Sequence, residues 1–460
     1  MERKGVVIAG LAGGSGKSIV SVGMAAYYGQ KGFQVAPFKK GPDYIDAGWL
    51  SLAAKSPCRN LDPYLMESAL IRDSFTRHSQ DAEVVVVEGN RGLYDGVDVR
   101  GGYSTAELAK ILELPVVLVV NCSKATRTVA ALVLGCKMFD PEVQLAGVIL
   151  NNVATVRQQD LITEAVATLA QVPVLGVIPR MQKDVFPMRH LGMLPHQEYD
   201  GCREALSSLA ESFGQHVDTA ALEKIMGPPV PHLGGKPGTE IKRERDLRIG
   251  IINDAAFQFY YPENLEALTD EGATLVPLNA LKDGPLPSLD GLYIGGGFPE
   301  TSVKELSGNL SFRRSVHQAA HEGLPIYAEC GGLIYLGKSM EIEGRVYPLA
   351  GVFPIRFGMA KKPQAHGYTV VEIDKEMPYY PKGSVIKGHE FRYSTVLSFE
   401  PDESLCLVMK MKRGTGFSGG RDGLLYKNTL GLYTHVHAYA TPSWAPRFIN
   451  FCRQRKNEKK

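Results

Sequence analysis

The sequence predicts an α/β protein of two doubly wound domains, and three observations carry that reading. Short β-branched runs at residues 6–9, 35–38, 84–87, 116–120 and 145–150 alternate with helix-length stretches such as 19–30 and 104–112. The runs are apolar nearly throughout, as strands covered on both faces of a parallel sheet must be. The rhythm then breaks near residue 227, where 227–238 is rich in glycine and proline and 242–248 is a charge cluster. Such a stretch reads as a linker. A second α/β block opens at 248–252 and includes strands at Gly291–Ile294 and 325–329. These signals divide the chain into a first domain at 1–226, a linker at 227–247 and a second domain at 248–450, with a polar, frayed tail at 453–460.

Composition bounds the function. A chain of 460 residues has room for two or three domains of roughly 100–200 residues each. Hydrophobic residues make up 44% and charged residues 22%, as in ordinary soluble proteins. With 51 Lys+Arg against 49 Asp+Glu, the chain has no basic surplus with which to grip nucleic acid. The seven cysteines are odd in number and contain no C-x-x-C pair, which argues against a disulfide framework or zinc knuckle and fits a reducing cytosol. No stretch approaches the roughly 20 apolar residues of a membrane span, and the N-terminal apolar run leads into a glycine loop instead of a cleavage site. A cytoplasmic protein without nucleic-acid or membrane partners is expected.

The sequence Gly10-Leu11-Ala12-Gly13-Gly14-Ser15-Gly16-Lys17-Ser18 follows a strand and opens a helix. Glycines such as Gly10, Gly14 and Gly16 let backbone N–H groups cradle phosphate oxygens at a positively polarised helix N-terminus. Lys17 would reach the β/γ-phosphates of ATP, and the Ser18 hydroxyl would hold Mg²⁺. Five residues separate Gly10 from Gly16, one more than in the standard motif. The early lysine of partition and septum-positioning ATPases is absent, since Ala12 stands there. The longer loop resembles that of dethiobiotin synthetase and its relatives, which activate carboxylates with ATP.

Two acidic runs end the second and third strands: Lys39-Lys40-Gly41-Pro42-Asp43-Tyr44-Ile45-Asp46 and Glu88-Gly89-Asn90-Arg91-Gly92-Leu93-Tyr94-Asp95-Gly96. Both fall on the rim that carries the phosphate loop. Mg²⁺ takes one or two carboxylates plus phosphate oxygens, which makes Asp43 and Glu88 the metal candidates and Lys39 a further cation beside the phosphates.

The phosphate loop, the G-P-D-Y-I-D run and the E-G-x-x-G-L-Y-D-G run, in this order, resemble the cobyrinic acid a,c-diamide synthase family. Members amidate tetrapyrrole carboxylates with ATP and glutamine. The resemblance implies Mg-ATP at Lys17, Ser18, Asp43 and Glu88, and tetrapyrrole near Tyr44, Asp46, Tyr94 and Asp95. Asn90-Arg91 departs from the family's Val-Met. Asn151 is similar to the asparagine that reads adenine in the dethiobiotin synthetase group, with Asn152 as the alternative.

In the second half, Pro325-Ile326-Tyr327-Ala328-Glu329-Cys330-Gly331-Gly332-Leu333 reads as a strand, a sharp turn and a helix start. A nucleophile elbow needs small residues two positions either side of the nucleophile, and Ala328 and Gly332 supply them. The helix N-terminus after Cys330 favours a thiolate. Of the eleven histidines, His435 and His437 lie in a strand-like run, 431–438, where they would share one face. A metal pair is the competing reading, although no cysteine or acidic residue lies nearby in sequence. His317 and His321, four apart on a helix, lack the glutamate of H-E-x-x-H. Gly296, in a glycine turn after a strand, and Gly331 are candidate oxyanion donors.

This half resembles the class I glutamine amidotransferase domain of the same family, with Cys330 as nucleophile and His435 as its histidine. Ordinary class I domains place a triad glutamate two residues after that histidine; here the position holds His437. Arg356, Lys361 and Arg392 lie in further matching segments and are candidates to bind propionate or acetate groups, since arginine forms bidentate pairs with carboxylates; solvated surface charge is the alternative. The resemblance implies amidation of the a and c side chains of cobyrinic acid through acyl phosphates. Nickel-sirohydrochlorin and hydrogenobyrinic acid are alternative substrates, and a P-loop switch that binds a partner protein is the distant alternative. A homodimer is one assembly such an enzyme could adopt.

Overall fold

The computed structural model describes residues 3–180, 188–189, 192–228 and 246–458. The chain forms two compact units, Met1–Lys236 and Pro237–Lys460. Most of the expected linker, 229–245, lies outside the described residues, but Gly227 bridges antiparallel to Gly5 at one of its ends.

In the first unit the strands are β1 (Lys4–Gly10), β2 (Val35–Lys40), β3 (Arg59–Leu61), β4 (Val84–Glu88), β5 (Val116–Asn121), β6 (Leu145–Val153) and β7 (Val174–Pro179). They form one sheet in the order β3-β2-β4-β1-β5-β6-β7, with every pairing parallel. The helices α1 (Lys17–Gln30), α2 (Ile45–Ala54), α3 (Ser68–Ser79), α4 (Thr105–Leu112) and α5 (Thr128–Phe139) connect them. The centre of β1 and all of β4 are buried, which is why both read as unbroken apolar runs. Val20, Val22 and Met24 of α1 join Val6, Ile8, Val84 and Val86 in the core, together with Leu209 and Phe213 from a helix at Cys202–His216. Ser104 caps α4 by accepting from the Glu107 amide. Two-residue strands β8 and β9, at Met188–Arg189 and Gly192–Met193, complete the first unit.

The second unit has a parallel half of the expected kind, made of β10 (Leu247–Ile252), β11 (Ala273–Leu278), β12 (Gly291–Ile294), β13 (Ile326–Glu329) and β22 (Thr429–Leu432). Antiparallel strands extend this sheet beyond β22: β17 (Ala365–Ile373), β18 (Val385–Arg392), β20 (Leu405–Arg413) and β21 (Arg421–Tyr426). The resulting order is β11-β10-β12-β13-β22-β21-β20-β17-β18. A separate sheet joins β14 (Gly337–Ile342), β15 (Arg345–Pro348), β16 (Phe353–Met359) and β19 (Ser394–Phe399).

The tail expected to fray is ordered helix as far as Glu458, in the segment Trp444–Glu458. Trp444, Phe448, Ile449 and Cys452 are buried on one face. Arg453 pairs with Asp246 at 3.1 Å and Lys456 with Asp290 at 3.0 Å on the other. Residues 459–460 lie outside the described residues. No helix among the described residues is long and apolar enough to cross a membrane.

Candidate functional site

The glycine loop joins β1 to α1, at the strand ends where ligands of doubly wound sheets bind. Gly14 (φ 74°) and Gly16 (φ 98°) adopt the left-handed conformation that side chains resist. A Cβ on Gly16 would fall 2.0 Å from Asn151 Nδ2. Asn151 is buried and donates to Ser15 O at 3.0 Å, so its amide braces the loop. Ser15 Oγ donates to Ala12 O at 2.9 Å and accepts from the Ala12 amide. Leu93 N–H donates to Gly10 O at 2.8 Å, which ties the run after β4 to the loop. Buried Lys17 lies below the usual lysine pKa range, through burial and then the charge of Lys39, with Glu88, Asp46 and Asp95 opposing.

Lys39 and Glu88 sit opposite one another in the register of β2 and β4. Lys39 Nζ lies 2.7 Å from Asp46 Oδ2 and 3.0 Å from Glu88 Oε1. Ser18 Oγ donates to Glu88 Oε1 at 2.7 Å and lies 3.5 Å from Asp46 Oδ2. Glu88 Oε2 is buried and takes no hydrogen bond among the described residues. Asp43 instead accepts the Asp46 amide at 2.9 Å. Asp46, not Asp43, therefore has its carboxylate beside Ser18 and Glu88. Burial pushes Glu88 up to about 7 despite Lys39. Asp43 rises to about 6 by burial and by the charge of Asp46. Burial would also raise Asp46, but Lys39 outweighs it and holds that carboxyl below its usual range.

The remaining first-unit candidates scatter. Tyr44 is half-buried at the start of α2, and Asp95 is exposed, accepting the Gly92 amide at 2.8 Å. Tyr94 donates its hydroxyl to Cys136 O at 2.7 Å and packs on Phe139, which turns it toward α5.

In the second unit, Cys330 stands between β13 and the helix Gly331–Leu336 with φ 47° and ψ −96°, a strained pair for a non-glycine residue. The turn is crowded: a Cβ on Gly332 would lie 2.5 Å from Ile294 O, and one on Gly331 would lie 3.0 Å from the Gly297 nitrogen. His435 hydrogen-bonds the Cys330 side chain, and its Nδ1 lies 3.1 Å from Glu329 Oε2. Burial alone would lower His435, but its bonds to Cys330 and Glu329 raise it to about 10. Gly296 lies against the His435 ring, while the amide beside Gly331 is that of Gly297. His389 stacks on His435 with centroids 4.9 Å apart and planes 21° apart. Burial, with the neighbouring histidines, holds His389 well below the usual range.

The strand expected at 431–438 ends at Leu432, because a two-way backbone bridge draws His435 to His389 (2.8 and 3.2 Å). The two histidines consequently part. His437 Nε2 faces Glu263 Oε2 at 3.7 Å, and both residues are buried. Among the described residues no group of three or more His, Cys, Asp or Glu side chains is arranged to hold a metal. His317 and His321 bond Ala350 O and the Tyr426 hydroxyl. Arg392 spends its two terminal nitrogens on Ser394 O (2.7 Å) and Gly416 O (2.8 Å), with its guanidinium over the Tyr433 ring. It is an internal brace, not an outward carboxylate receptor. Arg356 pairs with Glu341, and Lys361 is exposed. Sequence reasoning passed over Glu329 and His389; the signal for Glu329 was a carboxylate ending an otherwise apolar strand.

Residues 6–190 match the family described as the CobQ/CobB/MinD/ParA nucleotide binding domain, and residues 248–442 match the CobB/CobQ-like glutamine amidotransferase domain. A protein of Magnetococcus marinus named cobyrinate a,c-diamide synthase is 40% identical over 456 residues, covering 96% of this chain and 95% of the relative. One of the same name from Archaeoglobus fulgidus is 40% identical over 460 residues and covers 99% of each chain. A third, from Listeria innocua, is 37% identical and covers 95% of this chain and 97% of its own. Together the fold and its matches define a glutamine-dependent carbon–nitrogen ligase that uses ATP. The chain belongs to the cobyrinate a,c-diamide synthase family.

Proposed function

We propose that this enzyme amidates the a and c acetate side chains of cobyrinic acid, in cobalamin biosynthesis, with ATP and glutamine. The observation that carries the reading is the conjunction, in one chain, of a braced phosphate loop and a strained Cys330 bonded to His435.

The Cys330 thiolate attacks the side-chain amide carbon of glutamine. The oxyanion formed accepts from backbone amides at Gly331 and the 296–297 turn. Protonated His435 gives its proton to the leaving nitrogen, the C–N bond breaks, and ammonia departs from a glutamyl thioester. Water, deprotonated by His435, then releases glutamate and a proton and restores the thiolate–imidazolium pair. In the first unit, Lys17 and the loop amides hold the phosphates of ATP. A substrate carboxylate oxygen attacks the γ-phosphorus and the bond to ADP breaks. Ammonia attacks the resulting acyl phosphate, inorganic phosphate leaves, and an amide remains.

Ser18, Asp46 and Glu88 fit a Mg²⁺ ion: two carboxylates and a hydroxyl converge there, and Glu88 Oε2 takes no hydrogen bond among the described residues. When bound, Mg²⁺ would neutralise phosphate charge, while Asp43 holds the Asp46 amide. Tyr44 and Asp95 remain candidates for contact with the macrocycle. The test offers cobyrinic acid, hydrogenobyrinic acid and nickel-sirohydrochlorin in parallel with ATP and glutamine, and weighs the products. Diamide from cobyrinic acid is expected; preferential turnover of either other ring would overturn the substrate assignment.

A further inference from the structure

The residue two positions beyond His435 is a histidine engaged with Glu263, and the catalytic ring has a different carboxylate. We infer that Glu329, the residue immediately before the nucleophile, is the positioning residue that orients His435 and stabilises its charged form opposite Cys330. This rests on the reading of Cys330 and His435 as nucleophile and acid–base pair, and goes further by naming the acid that serves them.

Neighbouring residues on a strand point to opposite faces. The sharp turn at Cys330 breaks that alternation, so Glu329 and Cys330 both reach one imidazole. Glu329 is fully buried at the end of β13. Its Oε2 lies 3.1 Å from His435 Nδ1, and its Oε1 accepts the Val436 amide at 3.4 Å. One carboxylate thus grips both the ring and the backbone after β22, where strand pairing has ended. A partner at Nδ1 leaves Nε2 to face sulfur and fixes the tautomer, which is the task of the third member of a nucleophile–base–acid set. Tyr327 also hydrogen-bonds Glu329.

The other groups around the pair do not supply this charge. His389, from β18, stacks on His435 and is held neutral. Tyr433 and Arg392 lie on the Cys330 side, and His437 faces Glu263. Burial would keep His435 neutral; the bonds to Cys330 and Glu329 keep it charged to about 10.

Glu329→Gln keeps size and an acceptor oxygen but removes the charge. Its glutaminase kcat should fall on the order of tenfold to a hundredfold, with KM for glutamine near that of the parent. The alkaline limb of kcat/KM should move to lower pH, because His435 loses its proton sooner without the carboxylate. Glu329→Asp should recover part of both, amidation driven by ammonium salt should persist in each variant, and a thermal unfolding curve with the parent's transitions shows that the second unit folds. Parental glutaminase rate and an unmoved alkaline limb in Glu329→Gln would overturn the inference alone. Retention of glutaminase by Cys330→Ser would instead overturn the reading beneath it. Should Glu329→Gln not fold, proton NMR of the unsubstituted protein decides. A strongly deshielded ring N–H that vanishes in His435→Gln supports the pair, and its absence at neutral pH overturns it.

Discussion

Asp43 and Asp46 differ by three positions, and the structure gives them different work. Asp46 reaches Lys39 at 2.7 Å and lies 3.5 Å from Ser18 Oγ, whereas Asp43 receives the Asp46 amide. A neutral amide oxygen can still accept that N–H, so Asp43→Asn should cost ATP-dependent amidation only severalfold. Asp46→Asn removes the charge beside Ser18 and unbalances Lys39. It should lose tenfold or more at limiting Mg²⁺, with partial recovery as Mg²⁺ is raised. Titration of initial rates against Mg²⁺ for the two variants checks this, and equal curves would dissolve the distinction. The sequence displayed both aspartates but not their directions, since α2 begins between them and sets where each points. The same limit hid the partner of His435. A search two residues downstream finds His437, whereas the carboxylate arrives from the end of another strand. Cys330 was legible because its small neighbours at 328 and 332 are themselves a consequence of the turn.

Elements explain which parts of the fold could be read. The buried parallel strands announce themselves as apolar runs, and each expected strand of the first unit is present within a few residues. The antiparallel strands β17 and β18 alternate more and less buried positions along part of their length, and only two residues of β20 are buried, so their pattern is weaker and polar residues interrupt it. The turn between β13 and the following helix makes an element-level prediction. A Cβ at Gly332 would sit 2.5 Å from Ile294 O, a backbone atom of β12 that cannot swing aside. Gly332→Val should therefore displace Cys330 from His435 and abolish glutaminase activity. It should leave ATP-dependent amidation with ammonium salt in place, because the clash is confined to the second unit. Parallel assays with each nitrogen source test this, and a glutaminase-competent Gly332→Val would mean that the turn yields more than its packing suggests.

Each unit has its own core, one gathered around β1, α1 and Phe213, the other around β12, β13 and the strands beside them. Units that bury their own apolar surface fold and act with some independence, so the two half-reactions should separate by mutation. Lys17 is the lysine of the phosphate loop; it is buried and held below the usual lysine range by burial and Lys39. Its side chain donates to Ala12 O at 3.4 Å, a contact that a bound phosphate would replace. Lys17→Ala removes the cation that Lys39, engaged by Asp46 and Glu88, is not free to replace. Amidation should then fail with glutamine and with ammonium salt alike, while glutamine hydrolysis continues because Cys330 and His435 are untouched. Cys330→Ser should show the reverse: no use of glutamine, yet amidation with ammonium salt at mildly alkaline pH, where free ammonia is more abundant. The measurement is glutamate released and amidated product by mass, for both variants beside the parent. Amidation by Lys17→Ala at the parental rate would remove the phosphate loop from the chemistry.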